Sequence, residues 1–146
     1  MANNRANEMS DQSRKQVVQD AWRAFASRDP LRIAAAFTEE VEWLAPEGNA
    51  TALALNGTNH MVGREAVVRF LTEEFPKLFV SNVSVEFKGI YADRDTVILE
   101  EHMSATLANG RNYENDYCFI FTLSGDRISF VREYMDTQRG AKCIFG

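Results

Sequence analysis

The region that decides the fold is residues 109–123, which read NGRNYENDYCFIFTL. Asn109-Gly110 predicts a type I′ hairpin turn, because both residue types accept the positive φ angles that this turn requires. The aromatic residues that follow predict a strand, and alternation along a strand places on one face Asn115, Tyr117, Phe119 and Phe121. Phe119 and Phe121 are typical of a plain core face, whereas Asn115 and Tyr117 are candidates for lining a site.

Three further β-type runs flank this strand, at residues 83–91, 96–108 and 127–136. Short polar turns separate the runs, at residues 93–95 and 124–126. Consecutive hairpins form an antiparallel meander. The second half of the chain is therefore predicted to be an antiparallel sheet.

The first half of the chain shows helical periodicity instead. Over residues 14–27 apolar side chains recur at helical spacing, at Val18, Ala21, Trp22 and Phe25. Asp29-Pro30 predicts the start of a short second helix, and residues 63–75 predict a third helix that Pro76 ends. Between these helices lie a short strand at 41–43 and a long irregular loop at 45–62.

Helices followed by a sheet predict an α+β fold, in which a curved antiparallel sheet packs on three N-terminal helices as a cone. A curved sheet that closes on helices leaves a pocket, so the expected partner is a small hydrophobic molecule. The predicted domain spans residues 14–138, between a disordered lead-in at 1–13 and a tail at 139–146.

Composition excludes several function classes. The 146 residues carry a formal net charge of -5, with no basic patch to attract nucleic acid or anionic lipid. We expect a cytoplasmic protein, because no apolar segment resembles a signal peptide or a membrane span. Cys118 and Cys143 are expected to be free thiols, and no metal, phosphate-loop or dinucleotide motif points to a cofactor.

Titratable side chains on the predicted strands are the candidates for chemistry. Glu100 and His102 share one face of their strand, while Glu101 shares the other face with Met103. The apolar residues Val97 and Leu99 make the second face look more buried, which conflicts with a pocket-facing His102. Coverage of the outer sheet face by a second subunit would reconcile the two patterns, and we expect a homodimer through that face.

A histidine beside a carboxylate in an apolar cavity is a plausible general acid/base pair, and His102 and Glu133 are the candidates for it. The alternative is that both are hydrogen-bonded structural residues. Trp22 and Trp43 are more often core aromatics than ligand clamps, although Trp43 directly precedes the long loop, where a pocket mouth would lie.

The order of elements and several short strings resemble the SnoaL-like and ketosteroid-isomerase-like superfamily, also called nuclear transport factor 2-like. The strings are residues 27–30 and 37–43, Gly63-Arg64-Glu65-Ala66-Val67, and the stretches 109–117, 125–128 and 131–137. The resemblance covers about residues 14–138. It implies the cone-shaped fold, which hosts isomerases, cyclases, hydrolases and non-enzymatic binding domains.

The spacing is similar to that of limonene-epoxide-hydrolase-like members, with an Asp-Arg-Asp set, a Tyr and an Asn around a water. Glu100 would take the place of the Arg, His102 and Glu133 those of the two Asp residues, Trp43 that of the Tyr and Ala45 that of the Asn. Only Glu133 keeps the chemical type. The resemblance implies that the pocket is faced by Glu100, His102, Asn115, Tyr117 and Glu133, with an apolar wall of Trp22, Phe25, Phe75, Phe79 and Met135.

Two hypotheses follow for function. The first is a SnoaL-like enzyme without a cofactor that acts on a hydrophobic, oxygenated molecule, with His102, Glu133 and Glu100 as the catalytic candidates and Asn115 or Tyr117 polarising an oxygen. The second is a non-catalytic module that binds a small ligand or serves dimerisation, in which Trp43 and Phe75 would set ligand affinity.

Overall fold

The computed structural model describes residues 9–146. Residues 1–8 of the predicted lead-in lie outside the described residues. The helical segments in the described part are α1 Asp11–Ser27, α2 Pro30–Ala35, α3 Ala50–Ala54, α4 Arg64–Arg69, α5 Phe75–Leu78 and α6 Thr137–Phe145, with a π-helical turn Phe70–Glu74 between α4 and α5. The first helix begins three residues before the predicted start because Ser10 caps it, accepting the amide of Ser13 at 3.0 Å.

Six strands form one sheet: β1 Phe37–Leu44, β2 His60–Val62, β3 Phe79–Asp93, β4 Thr96–Leu107, β5 Asn112–Ser124 and β6 Arg127–Met135. Their order is β2-β1-β6-β5-β4-β3. The meander β3 to β6 is antiparallel as predicted, whereas β1 pairs with β6 in parallel. This parallel strand brings the first half of the chain into the sheet, and the α+β prediction is confirmed.

The turn between β4 and β5 differs from the type I′ prediction. Gly110 donates its amide to the carbonyl of Leu107 at 2.8 Å, which centres the turn on Ala108-Asn109, and only Gly110 there has a positive φ, 84°. This is a type I turn followed by a left-handed glycine. The hairpin was predicted correctly, but the turn begins one residue earlier than the Asn-Gly pair suggested.

The sequence predicted that Pro76 ends the third helix, but the helical path continues through it. The chain widens into the π-helical turn just before the proline, and the amide of Phe75 bonds to the carbonyl of Phe70, five residues back. The proline lies in the first turn of α5, where its missing N–H costs nothing. The helical path therefore continues to Leu78.

Strand β4 decides which side chains face the interior. Its odd positions are buried, namely Val97, Leu99, Glu101, Met103, Ala105 and Leu107, and its even positions lie on the outer face. The apolar pattern was thus the correct guide, and the residue-by-residue resemblance selected the wrong face. Glu101, rather than Glu100 or His102, points to the inside.

The core lies between the concave face of the sheet and α1. The Trp22 ring of α1 lies 5.1 Å from Phe119 and 5.4 Å from Phe121 in edge-to-face geometry. At the C-terminal end, most of the segment predicted as a tail, residues 139–146, belongs to helix α6. This helix packs against β5 and α3. The loop predicted at 45–62 contains α3 and β2, both short.

Candidate active site

A cavity of about 510 Å³ lies between α1, the π-helical turn and the concave face of the sheet. Its wall is largely aromatic, formed by Trp22, Phe25, Trp43, Phe70, Phe75, Phe79, Phe87 and Phe119. Two carboxyl groups, Glu101 and Glu133, lie on the sheet side of this wall. The volume suits a small molecule of one or a few rings.

Glu133 is held by the indole of Trp43. The Trp43 Nε1 donates to Glu133 Oε1 at 2.8 Å, and the Trp43 ring itself is only 4% exposed. Burial raises the pKa of Glu133 to about 7, and the indole hydrogen bond offsets part of that rise because it favours the charged form. Glu133 is half-buried and lines the cavity. Glu133 is therefore balanced between its two protonation states near neutral pH.

Glu101 is the more deeply buried of the two carboxyl groups, with 3% of its surface exposed. Burial raises the pKa of Glu101 to about 8, the negative charge of Glu133 adds to the rise, and a hydrogen-bonding interaction with Trp22 lowers it in part. Its Oε2 atom is buried and has no hydrogen-bond partner among residues 9–146. A protonated Glu101 carries a hydroxyl that can donate a hydrogen bond to a ligand oxygen.

Strand β5, which lies between the strands of Glu101 and Glu133, carries a chain of hydrogen-bonded polar side chains. The hydroxyls of Tyr113 and Tyr117 are hydrogen-bonded to each other, and Asn115 Nδ2 donates to Tyr113 Oη at 3.2 Å. Burial holds the pKa of Tyr117 well above its ordinary value, so this phenol stays neutral. Tyr117 lines the cavity as predicted and can donate into it.

The amide of Asn115 is used by the protein itself, contrary to its predicted place at the ligand. Besides Tyr113 it donates to the carbonyl of Asp136 at 3.0 Å, and its Oδ1 accepts the amide of Asp116 at 2.9 Å. Asn115 is fully buried, shares the predicted face with Tyr117, and is not part of the cavity wall. Its role is to hold the end of β6 and Tyr113 in place.

The structure moves His102 and Glu100 away from the site. His102 lies on the outer face of β4, where its Nδ1 contacts Asp116 Oδ1 at 2.7 Å and its Nε2 contacts Glu114 at 3.4 Å. The hydrogen bond to Asp116 is the main cause that raises the pKa of His102. Glu100 is exposed on the same outer face. The proposed His102–Glu133 pair is thus wrong, because the two side chains lie on opposite sides of the sheet.

Most of the predicted aromatic wall is in place. The cavity is lined by the predicted residues Trp22, Phe25, Trp43, Phe75 and Phe79. Met135 is the exception, since it pairs with Tyr117 across the strands and packs against the core outside the cavity wall.

Two important residues were missed from the sequence. Glu101 could have been found, because a carboxyl among Val97, Leu99 and Met103 on a buried face is unusual enough to indicate a function. Arg28 at the end of α1 also lines the cavity, and no spacing rule points to it.

Arg28 is the cation that touches the aromatic part of the wall. Its guanidinium carbon lies 4.8 Å from the centre of the Phe75 ring, and its Nη1 donates to the carbonyl of Leu71 at 3.2 Å. Burial lowers the pKa of Arg28 from its ordinary value, yet an arginine remains charged at neutral pH. The cavity therefore combines two acidic groups, the two cations Arg23 and Arg28, and an apolar wall.

Residues 9–146 contain neither a candidate metal centre nor a membrane-spanning helix. No cluster of three or more His, Cys, Asp or Glu side chains in this range could coordinate a metal ion. No helix in the same range has the length and apolarity needed to cross a bilayer. Cys118 and Cys143 have free thiols.

The sequence profile of the SnoaL-like domain matches residues 18–131, which is most of the chain. The match begins within α1, ends within β6 and includes every residue of the cavity wall except Glu133. Among curated proteins, no sequence matches the chain significantly.

Solved structures share the fold at low identity. A nuclear transport factor 2-like protein of unknown function from Burkholderia pseudomallei has a TM-score of 0.80 at 18% identity, over 94% of this chain and 100% of that one. An LEH-like epoxide hydrolase from M. tuberculosis has a TM-score of 0.70 at 17% identity, over 92% and 90%. A protein of ketosteroid isomerase-like fold from Catenulispora acidiphila, in complex with trimethylamine, has a TM-score of 0.69 at 15% identity, over 88% and 91%. Likeness at these identities shows the fold alone.

Proposed function

The chain belongs to the SnoaL-like domain family, and on that premise we propose that its cavity is the active site of an enzyme that moves protons on a hydrophobic, oxygenated small molecule. Glu133 is the proposed base and Glu101 the proposed acid, with Tyr117 as a second donor to the substrate oxygen. The single observation that carries the proposal is the presence of two buried carboxyl groups with raised pKa values in one apolar cavity.

The two carboxyl groups support different roles because their surroundings differ. Glu133, with a pKa of about 7 and a fixed indole donor, supplies a carboxylate in a large fraction of molecules at neutral pH. Glu101, with a pKa of about 8, keeps its proton there, and the charge on Glu133 favours that state further. One base and one acid in the same cavity are what proton transfer needs.

The proposed reaction is proton transfer next to a carbonyl. The Glu133 carboxylate removes a proton from the carbon beside the substrate carbonyl. The electron pair of that C–H bond forms a C=C bond, and the π pair of the carbonyl moves to the oxygen to give an enolate. Glu101 or Tyr117 donates a hydrogen bond to that oxygen, where the negative charge develops. Glu133 then returns a proton to the same carbon or, in a substrate with a C=C bond conjugated to the enolate, to the far end of that system, so atoms and electrons balance without a redox partner. Activation of water for attack on a polarised substrate would use the same groups.

Tyr117 is suited to this donor role by its partners. When Asn115 donates to Tyr113, and Tyr113 in turn donates to Tyr117, the proton of Tyr117 is left free for the cavity. A neutral phenol that is fixed in this way requires no reorganisation when charge forms on the substrate oxygen.

The test is exchange of α-protons of cyclic ketones in deuterated buffer, followed by ¹H NMR, after a thermal-shift screen of ketones, lactones and epoxides. Glu133→Gln should slow exchange by about 100-fold or more, because a positioned base contributes at least that factor. Ligand binding should persist, since the Gln carbonyl can still accept from Trp43. Glu100→Gln on the outer face is the matched control and should exchange as wild type does. Equal exchange by wild type and Glu133→Gln would contradict the proposal.

The second candidate is a non-catalytic ligand-binding module, which the breadth of the aromatic wall favours. In that case ligands bind without any proton exchange, and affinity falls in Trp43→Phe and Phe75→Ala while Glu101→Gln and Glu133→Gln leave it unchanged. The homodimer through the outer sheet face, a cytoplasmic location and independence of cofactors stay predictions.

A further inference from the structure

Arg28 occupies a backbone conformation that few residue types adopt readily. It caps α1 with φ 58° and ψ 13°, and its amide donates to the carbonyl of Phe25 at 3.2 Å. Glycine is the usual residue at this left-handed position, since side chains with a Cβ are disfavoured there. The cap itself does not require an arginine, so the side chain needs another explanation.

Among residues 9–146 the guanidinium of Arg28 has no carboxylate partner, unlike the two arginines within α1. Arg14 pairs with Asp11 at 3.3 Å and Arg23 with Asp20 at 2.9 Å, each three residues back along the helix. The residue three before Arg28 is Phe25, and no carboxylate within residues 9–146 lies within 4.0 Å of Arg28.

Most of the donor capacity of Arg28 is unused by the described part of the chain, residues 9–146. A guanidinium has five N–H donors, and the described hydrogen bond uses one of them, to Leu71. The contact with the Phe75 ring orients the planar group along the cavity wall. A partly buried cation with free donors, lining an apolar cavity, is a ready partner for an anion.

The two carboxyl groups of the cavity, Glu101 and Glu133, determine how an anionic ligand would be oriented. Glu101 is next to Trp22, and Arg28 follows Trp22 by six residues, about 9 Å along the helix axis. An anionic group near the carboxyl pair would be repelled by ionised Glu133, whereas at Arg28 it is attracted. The apolar body of the ligand would then fill the aromatic space between the two ends.

We propose that the ligand of this cavity carries an anionic group, a carboxylate or a group of similar charge and geometry, and that Arg28 binds it and thereby determines specificity. The inference rests on the proposed function in that it names the substrate class of the same site. It assigns Arg28 a binding role at the end of the cavity away from the reacting carbon.

The experiment measures binding of a matched pair of probes by calorimetry at neutral pH: 1-naphthaleneacetate and its neutral amide, 1-naphthaleneacetamide. Wild type should bind the carboxylate about tenfold more tightly than the amide, as one charge-assisted contact predicts. Arg28→Gln should abolish that preference and leave affinity for the amide within about twofold, whereas Arg28→Lys should keep part of it. Arg23→Gln is the control, because Arg23 also lines the cavity but is paired with Asp20.

Equal affinity of wild type for the two probes would overturn the inference, as would a preference that survives in Arg28→Gln or one lost in Arg23→Gln. Failure of both probes to bind would also overturn it. The proposed function is judged separately by proton exchange on neutral ketones, where wild type is compared with Glu133→Gln, so the two ideas can fail independently. If the role of Arg28 were purely structural, Arg28→Gln would instead lower the affinity for both probes equally and would also lower the melting temperature.

Discussion

Replacing Glu101 with Gln should remove a pH-dependent cost from the fold. In the folded protein burial raises the pKa of Glu101 from 4.5 to about 8, and the side chain is 3% exposed, so little solvent screens the effect. The unfolded chain loses this proton near its ordinary pKa, while the folded chain holds it until about pH 8. Between these values the unfolded state binds fewer protons, and the free energy of unfolding must fall as pH rises.

The size of the effect follows from the two pKa values. Each pKa unit corresponds to about 1.4 kcal/mol, so the contribution of Glu101 lowers the free energy of unfolding by about 4 kcal/mol between pH 5 and pH 9. The loss is small below the unfolded pKa and complete above the folded one. Glu133 and His102 also have raised pKa values and act in the same direction. The difference between wild type and variant isolates the share of Glu101.

Urea unfolding followed by tryptophan fluorescence at intervals from pH 5 to pH 9 measures this difference. Glu101→Gln should be more stable than wild type at pH 9 by several kcal/mol and nearly equal at pH 5, whereas Glu100→Gln should follow wild type throughout. Parallel curves for wild type and Glu101→Gln would refute the argument that a carboxyl with a raised pKa faces the cavity.

Two further predictions concern the partners of the carboxyl groups. Trp43→Phe removes the donor to Glu133, so the pKa of Glu133, measured by ¹³C NMR of the side-chain carboxyl, should rise above about 7. Trp22→Phe should instead raise the pKa of Glu101. An unchanged Glu133 titration in Trp43→Phe would contradict the role of the 2.8 Å hydrogen bond. His102→Ala should leave ligand affinity and proton exchange unchanged, because His102 lies on the outer face. It should also remove a stabilisation that wild type has below about pH 6.5, the unfolded value, and loses as pH rises through the higher folded pKa. Loss of exchange in His102→Ala would place the histidine back in the mechanism.

The fold could be predicted because its evidence is local and repeated. Alternation along β4 and β5, turn residues between the strands and helical spacing around Trp22 each point to the same α+β arrangement. The prediction that Pro76 ends the helix failed because a π-helical turn precedes it, which places the proline in the first turn of α5, where its missing backbone N–H is tolerated. A widened turn of this kind has no simple sequence pattern.

The site could be predicted only in part. A strand reverses its two faces when it is displaced by one residue, so carrying the resemblance over to Glu100 and His102 exchanged the inner and outer sides of β4. Val97, Leu99 and Met103 had indicated the correct face, and Glu101 among them was the informative departure. Arg28 could not be found in this way, because its position at the cavity depends on how the end of α1 meets the π-helical turn.

The most direct test of the central claim is a ¹³C NMR titration of the carboxyl carbons of Glu101 and Glu133, assigned with the two Gln variants. The expected midpoints are near 7 for Glu133 and near 8 for Glu101, and the Glu101 midpoint should fall when Glu133 is replaced, because the Glu133 charge contributes to its rise. Midpoints for both residues near the ordinary glutamate value of 4.5 would show that water reaches the cavity floor, and the proposed acid and base would then be untenable.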